Sequence, residues 1–195
     1  MTGRTWTRVL AGLSAAASLM VVVLTLRVRD LTDEVRHLRF ERNLPQVGDV
    51  VPALRAPLLG GDSVDLARSA LGRRQVWFVF NTTCPICGAS LPEWNAAFDQ
   101  LRPDSTVVIL GVSLDSATAT RAYAETNAVP FPVAILNDGR DPAMYRIPGV
   151  PLTMVFDAMG RIRLVRPGRF TGAGRDSLVS FLSSQQAFVD GVARR

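Results

Sequence analysis

Val76-Trp77-Phe78-Val79-Phe80-Asn81-Thr82-Thr83-Cys84-Pro85-Ile86-Cys87 joins an apolar run to two cysteines, the only two among 195 residues. A near-continuous apolar run of this kind reads as a strand buried on both faces of a parallel sheet. Pro85–Leu101 then reads as a helix, with Leu91, Trp94, Phe98 and Leu101 along one side and Pro92 as a kink. The first thiol of the Cys-x-x-Cys therefore stands at a helix N-terminus, where free N–H groups and the macrodipole favour an anion. The second lies one turn away, placed to resolve a mixed disulfide. Cys84 is the candidate nucleophile and Cys87 the resolving thiol. A static staple is the weaker reading, because so short a loop constrains the unfolded chain little. A zinc or iron–sulfur site needs more ligands, and the single histidine, His37, falls far from the pair. No metal or organic cofactor is expected.

Working toward the N-terminus, Val9 to Leu26 is an uncharged stretch flanked by Arg4 and Arg8 before it and Arg27 and Arg29 after it. It is just long enough to cross a bilayer as a helix. No small-x-small cleavage site follows, so an uncleaved single-pass anchor is expected rather than a signal peptide. From Arg27 the apolar positions Leu24, Val28, Leu31, Val35 and Leu38 alternate three and four apart. They form a short heptad-like seam, read as a solvated stalk, with a weak dimer contact as the alternative. The expected organisation is a tail at 1–8, an anchor at 9–26, a stalk at 27–44, one domain at 45–190 and a tail at 191–195.

Orientation draws on two conflicting rules. Two arginines precede the span and five follow it closely (Arg27, Arg29, Arg36, Arg39, Arg42), which by the positive-inside rule keeps the domain in the cytoplasm. A tethered dithiol has most to do outside the reducing cytosol. The second argument is preferred: cytoplasmic membrane, with the domain extracytoplasmic.

The net charge of +5 comes from 22 arginines and no lysine against 17 acids. Seven of those arginines and four of the acids lie in residues 1–44, so the domain itself is close to neutral. No basic cluster is interleaved with aromatics, which argues against nucleic-acid binding. The absence of lysine excludes Schiff-base chemistry and a Walker-type phosphate loop.

Across the domain, Val51–Leu54 and Ser63–Leu66 read as a hairpin about Leu59-Gly60-Gly61-Asp62. Val107–Val112 reads as a second buried strand, Ala117–Asn127 as a helix, Val133–Ile135 as a short strand and Pro142–Tyr145 as one turn. Thr153–Phe156 and Ile162–Val165 read as an antiparallel pair, and Ala173–Val189 as a closing helix. This order predicts an α/β domain: a mixed central sheet with helices on both faces and an N-terminal hairpin extension.

Three segments then resemble one family in sequence order. They are the strand-Cys84-Pro85-Ile86-Cys87-helix junction with Pro92 five residues on, Val129-Pro130-Phe131-Pro132-Val133, and Gly149-Val150-Pro151-Leu152-Thr153-Met154-Val155-Phe156-Asp157-Ala158-Met159-Gly160-Arg161-Ile162. From about Pro45 to Phe188 the chain is similar to thioredoxin-fold proteins of the TlpA/ResA type, membrane-anchored thiol–disulfide oxidoreductases. The resemblance implies a thioredoxin fold and a cis Val150–Pro151 bond facing the cysteines, where an extended substrate can pair with the backbone. Val150 and Pro151 would shape the docking groove, and Thr83, Pro85 and Ile86 would tune access and potential. It implies cysteine-containing extracytoplasmic partners, apocytochromes c among them, reduced with electrons from a membrane thiol donor.

The chain departs from that family in ways that matter. Phe78 stands where thioredoxins keep a buried carboxylate, Ser90 where ResA-like proteins keep a glutamate, and Thr83 where a tryptophan is usual. Glu93 is the nearest acid in sequence, and helical geometry alone does not bring it to Cys87. The competing readings are a non-catalytic thioredoxin-fold binding module and a peroxiredoxin-like peroxide reductase. The second is weakened by Asn81, which stands where a peroxiredoxin loop carries threonine. A copper-delivery relative would need a histidine beside the cysteines, so Met144, Met154 and Met159 read as core or turn residues, and Trp77 and Trp94 as core.

Overall fold

The computed structural model describes residues 17–32, 34–35, 43–68 and 72–193. The chain divides into two compact units, Met1–Asn43 and Leu44–Arg195. In the first unit, residues 17–32 are helical (α1), and their apolar side chains, Leu24, Val28 and Leu31 of the expected seam included, are exposed. Residues 9–16 of the expected anchor, His37 and Leu38 lie outside the described residues. Among the described residues no helix is long and apolar enough to cross a membrane.

The second unit is built on β3 (Arg74–Phe80) and β4 (Val107–Ser113), which pair in parallel. β5 (Val133–Ile135) continues that parallel edge. On the other side of β3, β6 (Leu152–Phe156) and then β7 (Ile162–Pro167) add antiparallel, giving the order β5-β4-β3-β6-β7. Period-2 alternation sends Val76, Phe78 and Phe80 to one face, and Trp77 and Val79 to the other. Each face then needs its own cover.

The first face is covered by α2 (Pro85–Leu101) and α5 (Gly172–Ala193), whose Leu91, Trp94, Ala97, Leu101, Leu178 and Leu182 join that cluster. α3 (Ala117–Thr126) lies on this same face, where buried Thr120 meets Ser113 of β4 at 2.6 Å. The reason is topological: β3→β4→β5 steps twice in one direction, and right-handed crossovers then put both helices on one side. The opposite face is covered by the hairpin β1 (Leu54–Pro57) and β2 (Ser63–Leu66) and by the short α4 (Arg140–Met144), next to which Tyr145 stands edge-on to Trp77 at 5.0 Å. The mixed sheet with helices on both faces is present, with the helices unevenly shared.

Several element limits differ from the sequence reading, and those of the first hairpin strand and of α4 have a clear physical reason. The first hairpin strand is Leu54–Pro57 and not Val51–Leu54. The loop closes tightly through Leu58 N–H to the Asp62 carbonyl at 2.8 Å, so pairing begins at Pro57↔Ser63. Val51 N–H instead donates to the Gly160 carbonyl at 3.0 Å, drawing this segment onto the β6–β7 turn. That turn needs Gly160, at φ +81, where a Cβ would also lie 3.1 Å from the Val51 carbonyl oxygen. α4 begins at Arg140 rather than Pro142, because a proline in the first turn removes only an N–H that has no helical partner. α2 keeps its predicted limits and runs through Pro92.

Gly111 is fixed by packing. A Cβ there would lie 2.9 Å from Phe131 Cε2, on the face where Phe131 also meets Phe78. Gly111→Ala is expected to lower stability by about 1–3 kcal/mol in urea unfolding. Phe131→Leu in the same chain should recover part of that loss by clearing the contact.

Candidate active site: a cysteine pair at the start of a helix

Parallel pairing of β3 with β4, Phe80 opposite Ser113, brings the segments following both strands together at one edge of the sheet. Asp115, just past β4, accepts hydrogen bonds from Thr82 N–H at 2.6 Å and Thr82 Oγ1 at 2.8 Å. A carboxylate holding two donors is among the stronger surface anchors. It fixes the segment that leads from the strand to the first cysteine.

Cys84 is the N-cap of α2, extended at φ −83 and ψ 111, with Pro85 beginning the helix where its missing N–H costs nothing. Its Sγ accepts the backbone N–H of Cys87 at 3.1 Å, so the sulfur occupies the place a serine or aspartate oxygen takes at other helix starts. The Cys84 carbonyl accepts from Cys87 N–H at 3.1 Å and Gly88 N–H at 3.2 Å. Both cysteines are free thiols; Cys84 is half-buried and Cys87 is 0% exposed. Thr83, Pro85 and Ile86 are exposed beside Cys84.

Val150–Pro151 is a cis peptide bond, as the resemblance implies. The half-buried Val150 presents its carbonyl to Cys84 Sγ at 4.0 Å, and Pro151 is buried behind it. The structure thus gathers Cys84, Cys87, Thr83, Pro85, Ile86, Val150 and Pro151 at one place. A groove of about 540 Å³, lined by Leu59, Arg121, Val129 and Phe131, touches neither cysteine.

The inner thiol sits in apolar surroundings. Phe78 stacks on Trp94 with centroids 5.2 Å apart, filling the space a buried carboxylate would need. Ser90 is committed elsewhere: its hydroxyl donates to the Ile86 carbonyl at 2.8 Å and accepts Phe170 N–H at 3.0 Å. Glu93 turns to Arg175 on α5, at 3.0 Å, so it serves no proton at Cys87. Burial first, then the side-chain hydrogen bond with Cys84, pushes the Cys87 thiol from its ordinary 9.0 up to about 12, with backbone hydrogen bonding at Asn81 pulling the other way. Among the described residues no group of histidine, cysteine, aspartate or glutamate could hold a metal ion. Met154 is buried, whereas Met144 and Met159 are exposed.

The sequence model of the AhpC/TSA family matches residues 47–165, more than half of the chain. The chain belongs to the AhpC/TSA family. No curated protein matches it significantly by sequence. Three solved structures resemble this AhpC/TSA protein in fold. The thioredoxin domain of a thiol-disulfide oxidoreductase from Bacteroides vulgatus superposes with TM-score 0.60 at 21% identity, covering 70% of this chain and 97% of that one. A thiol:disulfide interchange protein from Bacteroides sp. gives 0.60 at 22% identity, with 72% and 92% covered. StoA from Bacillus subtilis gives 0.57 at 19% identity, with 66% and 95% covered. The fold is thioredoxin-like, and family and neighbours together support a thioredoxin-like oxidoreductase.

Two polar residues at the site escaped the sequence reading. Asp115 could have been sought from position alone, since it follows a parallel strand adjacent to the one carrying the cysteines. Tyr123 on α3 had no such signal.

A raised thiol pKa means the unfolded state loses its proton first as pH rises. The stabilising contribution is complete below about pH 9 and is lost between pH 9 and the folded value near 12. The reduced protein should lose stability across that window by up to about 1.4 kcal/mol per pH unit. Urea unfolding of wild type against Cys87→Ala at pH 8 and pH 10.5 checks this, and the variant should show the smaller loss.

Proposed function

We propose that this AhpC/TSA protein is a membrane-tethered thiol–disulfide oxidoreductase whose Cys84/Cys87 pair exchanges with cysteines of extracytoplasmic proteins. The observation that carries the reading is the half-buried Cys84 sulfur, held on a helix N–H and bordered by the Val150 carbonyl, directly outside a sealed second thiol.

In the reducing direction, the Cys84 thiolate attacks a partner disulfide and forms a mixed disulfide, releasing the partner's first thiolate. The Cys87 thiol then attacks Cys84 Sγ, and the bond to the partner breaks. The partner's second sulfur leaves with the electron pair and takes up the proton that Cys87 gives up. Cys84–Cys87 ends oxidised by two electrons, the partner reduced by two, and a membrane dithiol donor resets the pair. Val150 and Pro151 shape the docking surface for an extended segment of the partner, while Thr83, Pro85 and Ile86 form its rim. The exposed rim suits a polypeptide such as an apocytochrome c better than an enclosed small molecule. No organic cofactor takes part. The domain lies outside the cytoplasmic membrane, anchored through the apolar stretch at 9–26.

Equilibration of the purified chain with dithiothreitol or glutathione buffers should give a reversible two-electron couple, roughly between −120 and −270 mV. Cys84→Ser should abolish it. Cys87→Ser should accumulate mixed disulfides with partner proteins in cells. A pair that never reduces would instead leave the inert binding module. For topology, Asp30→Cys in a chain lacking both native cysteines should react with a membrane-impermeant maleimide in intact cells, and protection until lysis would reverse the orientation.

A further inference from the structure

The Ser113 Oγ–Thr120 Oγ1 contact at 2.6 Å locks α3 against the end of β4. One turn further along α3, Tyr123 is carried over Phe80, with ring centroids 5.5 Å apart. Its ring packs against the apolar cluster that contains Cys87, at whose margin Cys84 also packs. Its hydroxyl oxygen is buried and has no hydrogen-bond partner among the described residues. A Cβ added to Gly88, the residue after Cys87, would lie 4.0 Å from that oxygen. A buried hydroxyl left unsatisfied is destabilising, so its presence beside the cysteines calls for a use.

Few groups around the inner sulfur are free to serve it. Phe78 is apolar, Ser90 is committed to Ile86 and Phe170, and Glu93 is paired with Arg175, while Trp94 Nε1, like the phenol, is a buried donor with no partner among the described residues. Asp115, past the end of β4, is engaged by Thr82. On α3 itself, Arg121 reaches the Leu59 carbonyl at 2.9 Å and Glu125 is exposed. The titratable groups that act on Tyr123 are the two cysteines. Burial first, then negative charge on Cys87 and on Cys84, raises the phenol's pKa. A phenol that holds its proton more tightly when a neighbouring sulfur is anionic is a donor to that sulfur and no base.

We propose that the Tyr123 hydroxyl is the hydrogen-bond donor for the resolving sulfur, steadying Cys87 as negative charge develops on it in the second step of exchange. This rests on the dithiol-exchange reading. Tyr123 keeps its own proton throughout; the Cys87 proton still ends on the departing partner thiolate. The phenol thus steadies the anion from α3 without taking its proton, a different service from that of a carboxylate base.

The test uses the full reduced chain and 5,5′-dithiobis(2-nitrobenzoate) in stopped flow between pH 6 and 10. Attack by Cys84 releases the first coloured thiolate, and attack by Cys87 on the resulting mixed disulfide releases the second. In Tyr123→Phe the first phase should stay within about twofold of wild type. The second should slow about tenfold at pH 7, with its pH inflection about one unit higher, since one unit corresponds to tenfold. A second phase within twofold of wild type and an unmoved inflection overturns the proposal, as does equal slowing of both phases. If Tyr123→Phe fails to fold, 3-fluorotyrosine at position 123 in a Tyr145→Phe chain replaces it. That stronger donor should move the second inflection down, and an unmoved inflection overturns the proposal. Failure of the exchange reading itself looks different: wild type would then release one coloured thiolate and no second.

Discussion

The hydrogen bond from Cys87 N–H to Cys84 Sγ holds only because β3 is gripped on both edges. Parallel pairing to β4 and antiparallel pairing to β6 fix the strand's end at Phe80, and the short segment that Asp115 holds at Thr82 carries the chain into the helix at Pro85. The same pairing sets the far wall of the site. β6 begins at Leu152, so the Val150 carbonyl reaches Cys84 from the strand on one side while Asp115 grips Thr82 from the strand on the other. The reactive sulfur is thus referenced to three adjacent strands, and no mobile loop decides where it lies. Sites placed on such elements keep their geometry better than sites placed on loops.

Beneath this surface the protein has exchanged polarity for packing. The Phe78–Trp94 stack fills the interior beneath the cysteines with aromatic rings, and Ser90 spends its hydroxyl joining α2 to the segment before α5. Each fully buried aromatic of this kind contributes a few kcal/mol through the area it removes from water, about 1.5–3 for a side chain the size of Phe. The consequence is a dry setting for the second thiol, which disfavours its anion. A chain of this sort gains core stability and must find electrostatic help for its chemistry from outside that core.

Most of the fold was legible in the sequence because its signals are local. The run Val76–Phe80, the exact limits of Pro85–Leu101 and the three-residue strand Val133–Ile135 follow from apolar patterning and punctuation. The cysteines and Val150–Pro151 were legible as motifs. What stayed hidden depends on groups far apart in the chain. The hairpin register turns on Val51 being drawn to Gly160, a partner more than a hundred residues away. Glu93 could not be excluded as a base until Arg175, on the last helix, was seen to hold it. Tyr123 could not be placed because a ten-residue helix with one buried position gives no clear facing direction; the Ser113–Thr120 contact supplies it.

The complete enclosure of Cys87 also sets the chronology of events at the surface. A solute large enough to be stopped by the packing can meet the outer sulfur alone, and whatever the inner sulfur encounters has first been captured by its neighbour. Bulky electrophiles arriving from solvent would therefore leave their mark at a single atom. Such injury would stop thiol exchange yet spare the interior, so a poisoned molecule would remain folded.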